Sequence, residues 1–169
     1  MICKNNIPDI DTALSQIKEM SLVDFLGGPG ISPERVIIDD IFAGTLETAL
    51  KDMIADTAIS IDLMSPKICH DWEILALSQD TIIVAPTGDD CLHPPGVLSA
   101  NKSGDVTGAY VGCSLAVLPS HRGNGIGRDL VVCRYLMECE LPLWQHDKPG
   151  FSTAGYATHR SAFEKLLSL

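Results

Sequence analysis

Apolar residues recur at helical intervals through the first third of the chain. Residues 8–26 carry them three and four positions apart, and the glycine-rich run at 27–30 ends this pattern. The same spacing predicts further helices over residues 32–41 and 45–56, the first opened by a serine and a proline that favour a helix start. We therefore expect a helical N-terminal part over residues 1–57.

Alternating apolar and polar residues predict strands in the middle and late parts of the chain. The candidate strands are residues 58–64, 72–78, 81–87, 108–119 and 141–146. Only Gln79 and Asp80 separate the second candidate from the third, which predicts a tight antiparallel hairpin. Residues 89–104 are rich in proline, glycine and aspartate, and we expect them to form mostly a loop.

Two helices are predicted in the last third of the chain. One covers residues 127–138, and the other begins at Ser152 or Thr153 and runs almost to Leu169. Helices, then a hairpin, then strand, loop, helix, strand and helix make a mixed α/β or α+β order. The 169 residues suit a single domain. We expect a mixed, mostly antiparallel sheet flanked by helices.

The charge of the chain bears on its partners. The formal net charge is −10, and no apolar run reaches the roughly 20 residues that a membrane helix needs. Residues 1–118 hold 6 Lys and Arg against 17 Asp and Glu, whereas residues 119–169 hold 6 against 5. Because nucleic acid binds a basic face, we expect neither nucleic acid nor a membrane as partner. The N-terminus lacks the layout of a secretion signal, so a cytoplasmic protein is expected.

Six cysteines are scattered along the chain without a C-x-x-C pair, which is typical of buried thiols. Cys69 with His70, and Cys91 with His93, match no standard spacing of zinc ligands. We therefore expect no metal site.

Three glycines at alternate positions, Gly123, Gly125 and Gly127, lie between a predicted strand and a predicted helix. The first amides of a helix have no partner within it, and they lie at the positive end of its dipole. Glycines let a ligand approach these amides, and Arg122 and Arg128 add charged donors. We call residues 122–128 the glycine-rich segment, and we predict that it cradles the phosphates of a cofactor.

Known phosphate-binding motifs narrow the choice of cofactor. No Lys-Ser or Lys-Thr pair follows the glycines, and their spacing is G-x-G-x-G, not the G-x-G-x-x-G of dinucleotide folds. Residues 122–127, RGNGIG, satisfy the pattern R/Q-x-x-G-x-G/A. With a strand ending in proline before this motif and a helix after it, the chain resembles the GNAT superfamily of N-acetyltransferases. The close resemblance covers residues 108–140.

The resemblance implies acetyl-CoA as the cofactor, held by a core at residues 108–140. Backbone amides of the glycine-rich segment would hold its pyrophosphate, and the strand edge at residues 115–117 would pair with its pantetheine arm. The short strand at 141–146 would diverge and open a notch for the thioester. The implied cofactor-binding residues are Leu115, Ala116, Val117, Arg122, Gly123, Asn124, Gly125, Ile126, Gly127, Arg128 and Ser152.

The resemblance also implies direct transfer of the acyl group to an amine within a ternary complex. Amides near Val117 would polarise the thioester carbonyl, a base would take a proton from the amine, and an acid would protonate the thiolate. In the family this acid is often a tyrosine on the last helix. The matching position is His159, with Ser152 at the family's asparagine, and Tyr156 is the second candidate. That His159 is an ordinary polar helix residue and Tyr156 a core residue stays open, and the sequence singles out no base.

We therefore expect an enzyme that moves an acetyl or related acyl group from CoA to a small-molecule or lysine-type amine. The acidic charge favours a cationic acceptor. The family usually has two more strands after the last helix, so a second copy of the chain, making a homodimer, or the N-terminal part would complete the site. The alternative is an acyl-CoA-binding or regulatory module without catalysis. A third hypothesis, acetylation of charged transfer RNA, fits the acidic surface less well.

Overall fold

A computed structural model of the chain describes residues 10–28, 73–78, 81–85, 96–103, 105–111, 114–138 and 151–169. This part mixes helices with antiparallel strands, in keeping with the expected α+β class. The helices expected at 32–41 and 45–56, and the strands expected at 58–64 and 141–146, lie outside the described residues.

The helices predicted within residues 8–26 are confirmed. α1 spans Ile10–Glu19 and α2 spans Leu22–Phe25. Ser21 caps α2, because its Oγ accepts a hydrogen bond from the amide of Asp24 at 3.2 Å. The side chain of Ile17 is fully buried, which agrees with the apolar face read from the sequence.

Among the described residues, five strands form one sheet in the order β1-β2-β3-β4-β5, and every neighbouring pair is antiparallel. Their bounds are β1 Glu73–Ser78, β2 Thr81–Ala85, β3 Gly96–Asn101, β4 Val106–Val111 and β5 Ser114–Val117. The predicted hairpin of β1 and β2 is confirmed, with Glu73 opposite Ala85.

The prediction of a loop over residues 89–104 is wrong in its second half, where β3 lies. β3 pairs with β2 on one side and with β4 on the other, so its backbone groups find partners in both neighbours. Val97 and Leu98 are both buried. The prolines that suggested a loop, Pro94 and Pro95, precede the strand. Composition averaged over the whole stretch therefore hid a short apolar strand.

The prediction of one strand over residues 108–119 is also wrong, because the chain reverses within it. β4 and β5 pair antiparallel with Val111 opposite Ser114, so only Gly112 and Cys113 stand between the two strands. A glycine in a two-residue connection is a common signal for a hairpin. The apolar alternation continues across this point, and alternation alone does not separate two short strands from one long strand.

Two long helices follow the last strand, and the first of them covers the sheet. α3 spans Ile126–Glu138 and α4 spans Thr153–Leu167, which confirms both predicted helices. α3 packs on the sheet and on α4, and α1 and α2 pack against α4. The largest fully buried apolar side chains of this core are those of Ile17, Phe25, Leu26, Leu130, Tyr135 and Leu166. No helix in the described part of the chain is long and apolar enough to cross a bilayer.

Gly108 in β4 allows α3 to approach the sheet closely. A Cβ at this position would stand 2.8 Å from the carbonyl oxygen of Ala116 and 3.1 Å from Cδ1 of Leu130. The first contact is shorter than real Cβ atoms make and is with backbone, which cannot turn aside, and the second would force the Leu130 side chain to shift by a few tenths of an ångström. Because Gly108 has no side chain, Ala116 of β5 and Leu130 of α3 can both lie close to β4.

Candidate functional site

The glycine-rich segment lies between the end of β5 and the start of α3. A 3₁₀ turn at Pro119–His121 leads into it, and α3 begins within it at Ile126. Gly123 and Gly125 have φ angles of +82° and +80°, a region that residues with a Cβ rarely enter. These two glycines are therefore required by the path of the backbone.

Gly127 is required for a different reason. A Cβ at Gly127 would stand 3.2 Å from Cγ2 of Thr158 on α4 and 3.6 Å from Cγ2 of Val117 on β5. The first distance is tighter than ordinary side-chain contacts, so even a methyl group would press on Thr158. Because Gly127 has no side chain, β5, α3 and α4 converge at one point beside the segment.

The backbone amides of the glycine-rich segment are open. The first hydrogen bond of α3 runs from the amide of Asp129 to the carbonyl of Gly125, at 2.9 Å. In the part of the chain that the structure describes, the amides of residues 123–128 donate no hydrogen bond. They stand at the positive end of the α3 dipole, where oriented N–H groups favour an anion.

Arg122 ties the segment to the end of β5. Its Nε donates a hydrogen bond to the carbonyl of Val117 at 3.0 Å, and its side chain is exposed. Within the described residues its terminal nitrogens make no other hydrogen bond. Arg122 therefore holds its own backbone in place and keeps charged donors free beside the open amides.

Arg128 folds back against the segment and pairs with the next residue. Its Nε and Nη2 both lie 2.9 Å from the same oxygen, Oδ1 of Asp129. The Arg128 side chain is 34% exposed, whereas that of Asp129 is 1% exposed. Oδ2 of Asp129 is buried without a hydrogen-bond partner. Nη2 also stands 2.9 Å from where a Cβ of Gly125 would be, so this position of Arg128 depends on that glycine.

β5 has a free edge among the described strands. The amide of Leu118 donates to the carbonyl of Thr107 at 2.9 Å, which places that amide toward β4. Because backbone groups alternate in direction along a strand, those of Ala116 also point toward β4, and those of Leu115 and Val117 point away from it. The free edge thus presents the amide and carbonyl of Leu115 and the amide of Val117, and it ends at the glycine-rich segment.

Two of the predicted residues lie at the start of α4. Ser152 is the N-cap, since its Oγ accepts a hydrogen bond from the amide of Gly155 at 3.0 Å. Tyr156 is half-buried, and its ring meets the ring of Phe151 edge-on with centroids 6.4 Å apart. Within the described residues, the Tyr156 hydroxyl makes no hydrogen bond.

His159 lies in the core between α4 and β4, with 3% of its side chain exposed. Its Nδ1 is 2.8 Å from the carbonyl of Gly155, and its Nε2 is 3.0 Å from the hydroxyl of Tyr110. Since a carbonyl only accepts, Nδ1 carries the proton, and Nε2 accepts from Tyr110. The ring of Phe151 packs on the imidazole with centroids 4.5 Å apart. Both ring nitrogens are therefore engaged inside the protein.

This environment keeps His159 neutral. Burial lowers the pKa of His159 from 6.5 to about 4; the hydrogen bond to Gly155 raises it, and the positive charge of Arg134 lowers it further. Arg134 is itself buried, and its guanidinium carbon lies 4.3 Å from the centroid of the Tyr110 ring. The one proton of this neutral imidazole is therefore engaged with the carbonyl of Gly155, and the Tyr110 hydroxyl occupies the other ring nitrogen.

Sequence analysis named none of Thr158, Asp129 and Arg134 as part of the site. Arg134 carried a signal, because it stands inside an otherwise apolar stretch of α3. Asp129 carried one too, because it directly follows Arg128. The contact between Thr158 and Gly127 had no local signal, since it forms only when α4 packs on α3.

Part of the predicted set comes together at Gly127, where the end of β5 at Val117, the glycine-rich segment and Thr158 of α4 meet. Ser152 and Tyr156 lie in the first turns of α4, where their contacts are with Gly155 and Phe151. His159 faces the core instead. Compared with models of known protein families, with curated proteins and with solved structures, the chain gives no match. A function for it therefore rests on the geometry of this group.

Proposed function

We propose that the chain binds an acyl-CoA at the glycine-rich segment and transfers the acyl group to an amine, as a GNAT-type N-acetyltransferase. The observation that carries the proposal is the run of unpaired amides at residues 123–128, opened by two glycines in left-handed conformation. The pyrophosphate of CoA has several oxygens that can accept from neighbouring amides at once. The free nitrogens of Arg122 would add charge-assisted hydrogen bonds.

The free edge of β5 supports CoA over a smaller phosphate. The pantetheine arm is extended and contains amide groups, so it can add to a strand edge as a peptide does. Leu115 and Val117 offer such an edge, and it leads directly to the glycine-rich segment. One extended ligand with a diphosphate at one end would use both features.

The same geometry supports a route for the reaction. The amide of Val117, on the free edge, can donate to the thioester carbonyl oxygen and stabilise the negative charge that develops there. The acceptor attacks the carbonyl carbon through an amine in its neutral form, a C–N bond forms, the C–S bond breaks, and the amine proton passes to solvent water. The thiolate of CoA then takes up a proton.

Tyr156 is the proton donor that we propose for the thiolate. Its side chain is half-buried, and its hydroxyl is free of hydrogen bonds within the described residues. His159 is less suited to the task, because it is buried, neutral, and bonded at both nitrogens. We propose a cationic amine as the acceptor, since the first 118 residues carry most of the acidic charge.

An assay of thiol release tests the reaction. With acetyl-CoA and a panel of polyamines, small aromatic amines and lysine peptides, the wild-type protein is expected to release thiol only when an amine is present. Tyr156→Phe should lower kcat by about 10²-fold while KM for acetyl-CoA changes little, as removal of a general acid does. His159→Gln serves as the comparison. A loss of kcat in that variant but not in Tyr156→Phe would assign the acid to His159 instead of Tyr156.

Binding of acetyl-CoA without turnover on any amine would contradict the catalytic proposal. That outcome is what the alternative, a non-catalytic acyl-CoA-binding module, predicts. The two functions share the binding site and differ only in whether the acyl group is then transferred. Binding and thiol release measured on one protein preparation therefore decide between them.

A further inference from the structure

The pair formed by Arg128 and Asp129 is incomplete. In a well-matched pair each carboxylate oxygen takes one N–H of the guanidinium. Here Nε and Nη2 both reach Oδ1 at 2.9 Å, and Oδ2 is buried and finds no partner among the described residues. Asp129 therefore holds Arg128 by one oxygen only, which makes this a weaker hold than a two-oxygen pair.

Arg128 also remains accessible to a ligand. A third of its side chain is exposed, and its guanidinium stands beside Gly125, among the open amides of the glycine-rich segment. An anion bound to those amides would offer Arg128 a second partner, with oxygens on its exposed side. Asp129 and the anion would then compete for one guanidinium.

We propose that Asp129 acts as an internal competitor that lowers the affinity of the glycine-rich segment for diphosphates by holding Arg128. This inference rests on the proposed function, because the diphosphate is taken to be that of CoA. In the free protein Arg128 is paired with Asp129, and in the complex it pairs with the ligand. The competition lowers the affinity for CoA and so eases its release, which suits an enzyme that must discharge its product at every turnover.

The test is a double-mutant cycle with inorganic pyrophosphate as the probe, measured by calorimetry at fixed salt. Asp129→Asn should bind pyrophosphate about three- to tenfold more tightly than the wild type, because one charge-assisted bond becomes available to the ligand. Arg128→Gln should bind more weakly. In the Arg128→Gln background, Asp129→Asn should have no further effect, since there is no guanidinium left to release.

The cycle separates competition from a general effect of charge. Glu164→Gln removes one negative charge at an exposed position on α4 and should leave pyrophosphate binding unchanged. The proposal is overturned if Asp129→Asn binds no more tightly than the wild type. It is equally overturned if the gain persists in the Arg128→Gln background, because the gain would then come from the lost charge alone.

A measurement on the wild type guards against misfolding of Asp129→Asn. The side-chain Nε–H resonance of Arg128, assigned by its absence in Arg128→Gln, should shift on titration with pyrophosphate, and its exchange with water should quicken as Asp129 is released. An unchanged resonance at saturation contradicts the proposal. If CoA binds but Asp129→Asn changes no affinity, the competition is contradicted and the proposed function stands. If pyrophosphate binding follows the predicted double-mutant cycle but CoA does not bind, the competition stands and the proposed function is contradicted.

Discussion

His159 shows how far a single residue can depart from what its neighbours in the chain suggest. It is a histidine on a helix that begins with a polar turn, yet its ring is buried against Tyr110 and Phe151. Nothing local reveals this, because the partner Tyr110 is 49 positions away along the chain. The glycines are the opposite case, since the spacing G-x-G-x-G by itself indicates a backbone conformation that residues with a Cβ rarely adopt.

The burial of His159 predicts a loss of stability in acid. Its pKa is about 4 in the folded protein and 6.5 ordinarily, so between these values the unfolded chain takes up a proton that the folded protein refuses. The stabilising effect of neutral His159 is complete above pH 6.5 and is lost as the pH falls toward 4. The free energy of unfolding, measured with urea, should fall by about 2 kcal/mol from this residue between pH 7 and pH 5.

His159→Gln provides the control for this prediction. Glutamine has no charge to gain, so the variant should lose less stability than the wild type over the same pH interval. The other titrating groups are common to both proteins and cancel in the difference. Equal pH dependence of the two proteins would mean that His159 takes up its proton as readily in the folded protein as in the unfolded chain, so that its pKa is not lowered.

At the scale of elements, the apolar pattern predicted the helices well and the strands less well. α1, α3 and α4 each bury a face, and the starts of α3 and α4 carry glycines and a serine cap, respectively. The hairpin of β4 and β5 was missed because its two strands alternate without a break, and Gly112 was the only mark of the reversal. β3 was missed because its apolar residues are few and follow two prolines. Short strands depend on their partners, which local pattern does not reveal.

The contact between α3 and α4 at Gly127 gives a prediction at this scale. Alanine is a better helix former than glycine, so Gly127→Ala should stabilise α3 by about 0.5–1 kcal/mol where space allows. In the wild type the new methyl group would press on Cγ2 of Thr158, 3.2 Å away, and the gain should be lost. Thr158→Ser removes that methyl group, and in its background Gly127→Ala should raise the free energy of unfolding. The same effect of Gly127→Ala in both backgrounds would show that α3 and α4 do not meet there.

At the scale of the whole molecule, the candidate site is an assembly of three elements. The end of β5 at Val117, the open amides at the start of α3 and Thr158 of α4 come together at Gly127. The sequence indicated the segment, because strand, glycines and helix follow one another in the chain, and it predicts an anionic ligand there. It could not indicate which residues of α4 would face the segment, since that depends on packing across more than 20 positions. Thr158 proved to be the contact, and His159 turned to the core.

The central claim is that the open amides of the glycine-rich segment hold the pyrophosphate of CoA, and calorimetric titration with acetyl-CoA tests it most directly. We predict saturable binding to the wild type, and loss of that binding in Gly125→Val and Arg122→Glu while both variants remain folded by circular dichroism. Arg160→Glu makes the same charge reversal at an exposed position on α4 and should bind normally. A wild-type protein that takes up no acetyl-CoA, or an Arg122→Glu variant that binds it as well as Arg160→Glu does, would contradict the account.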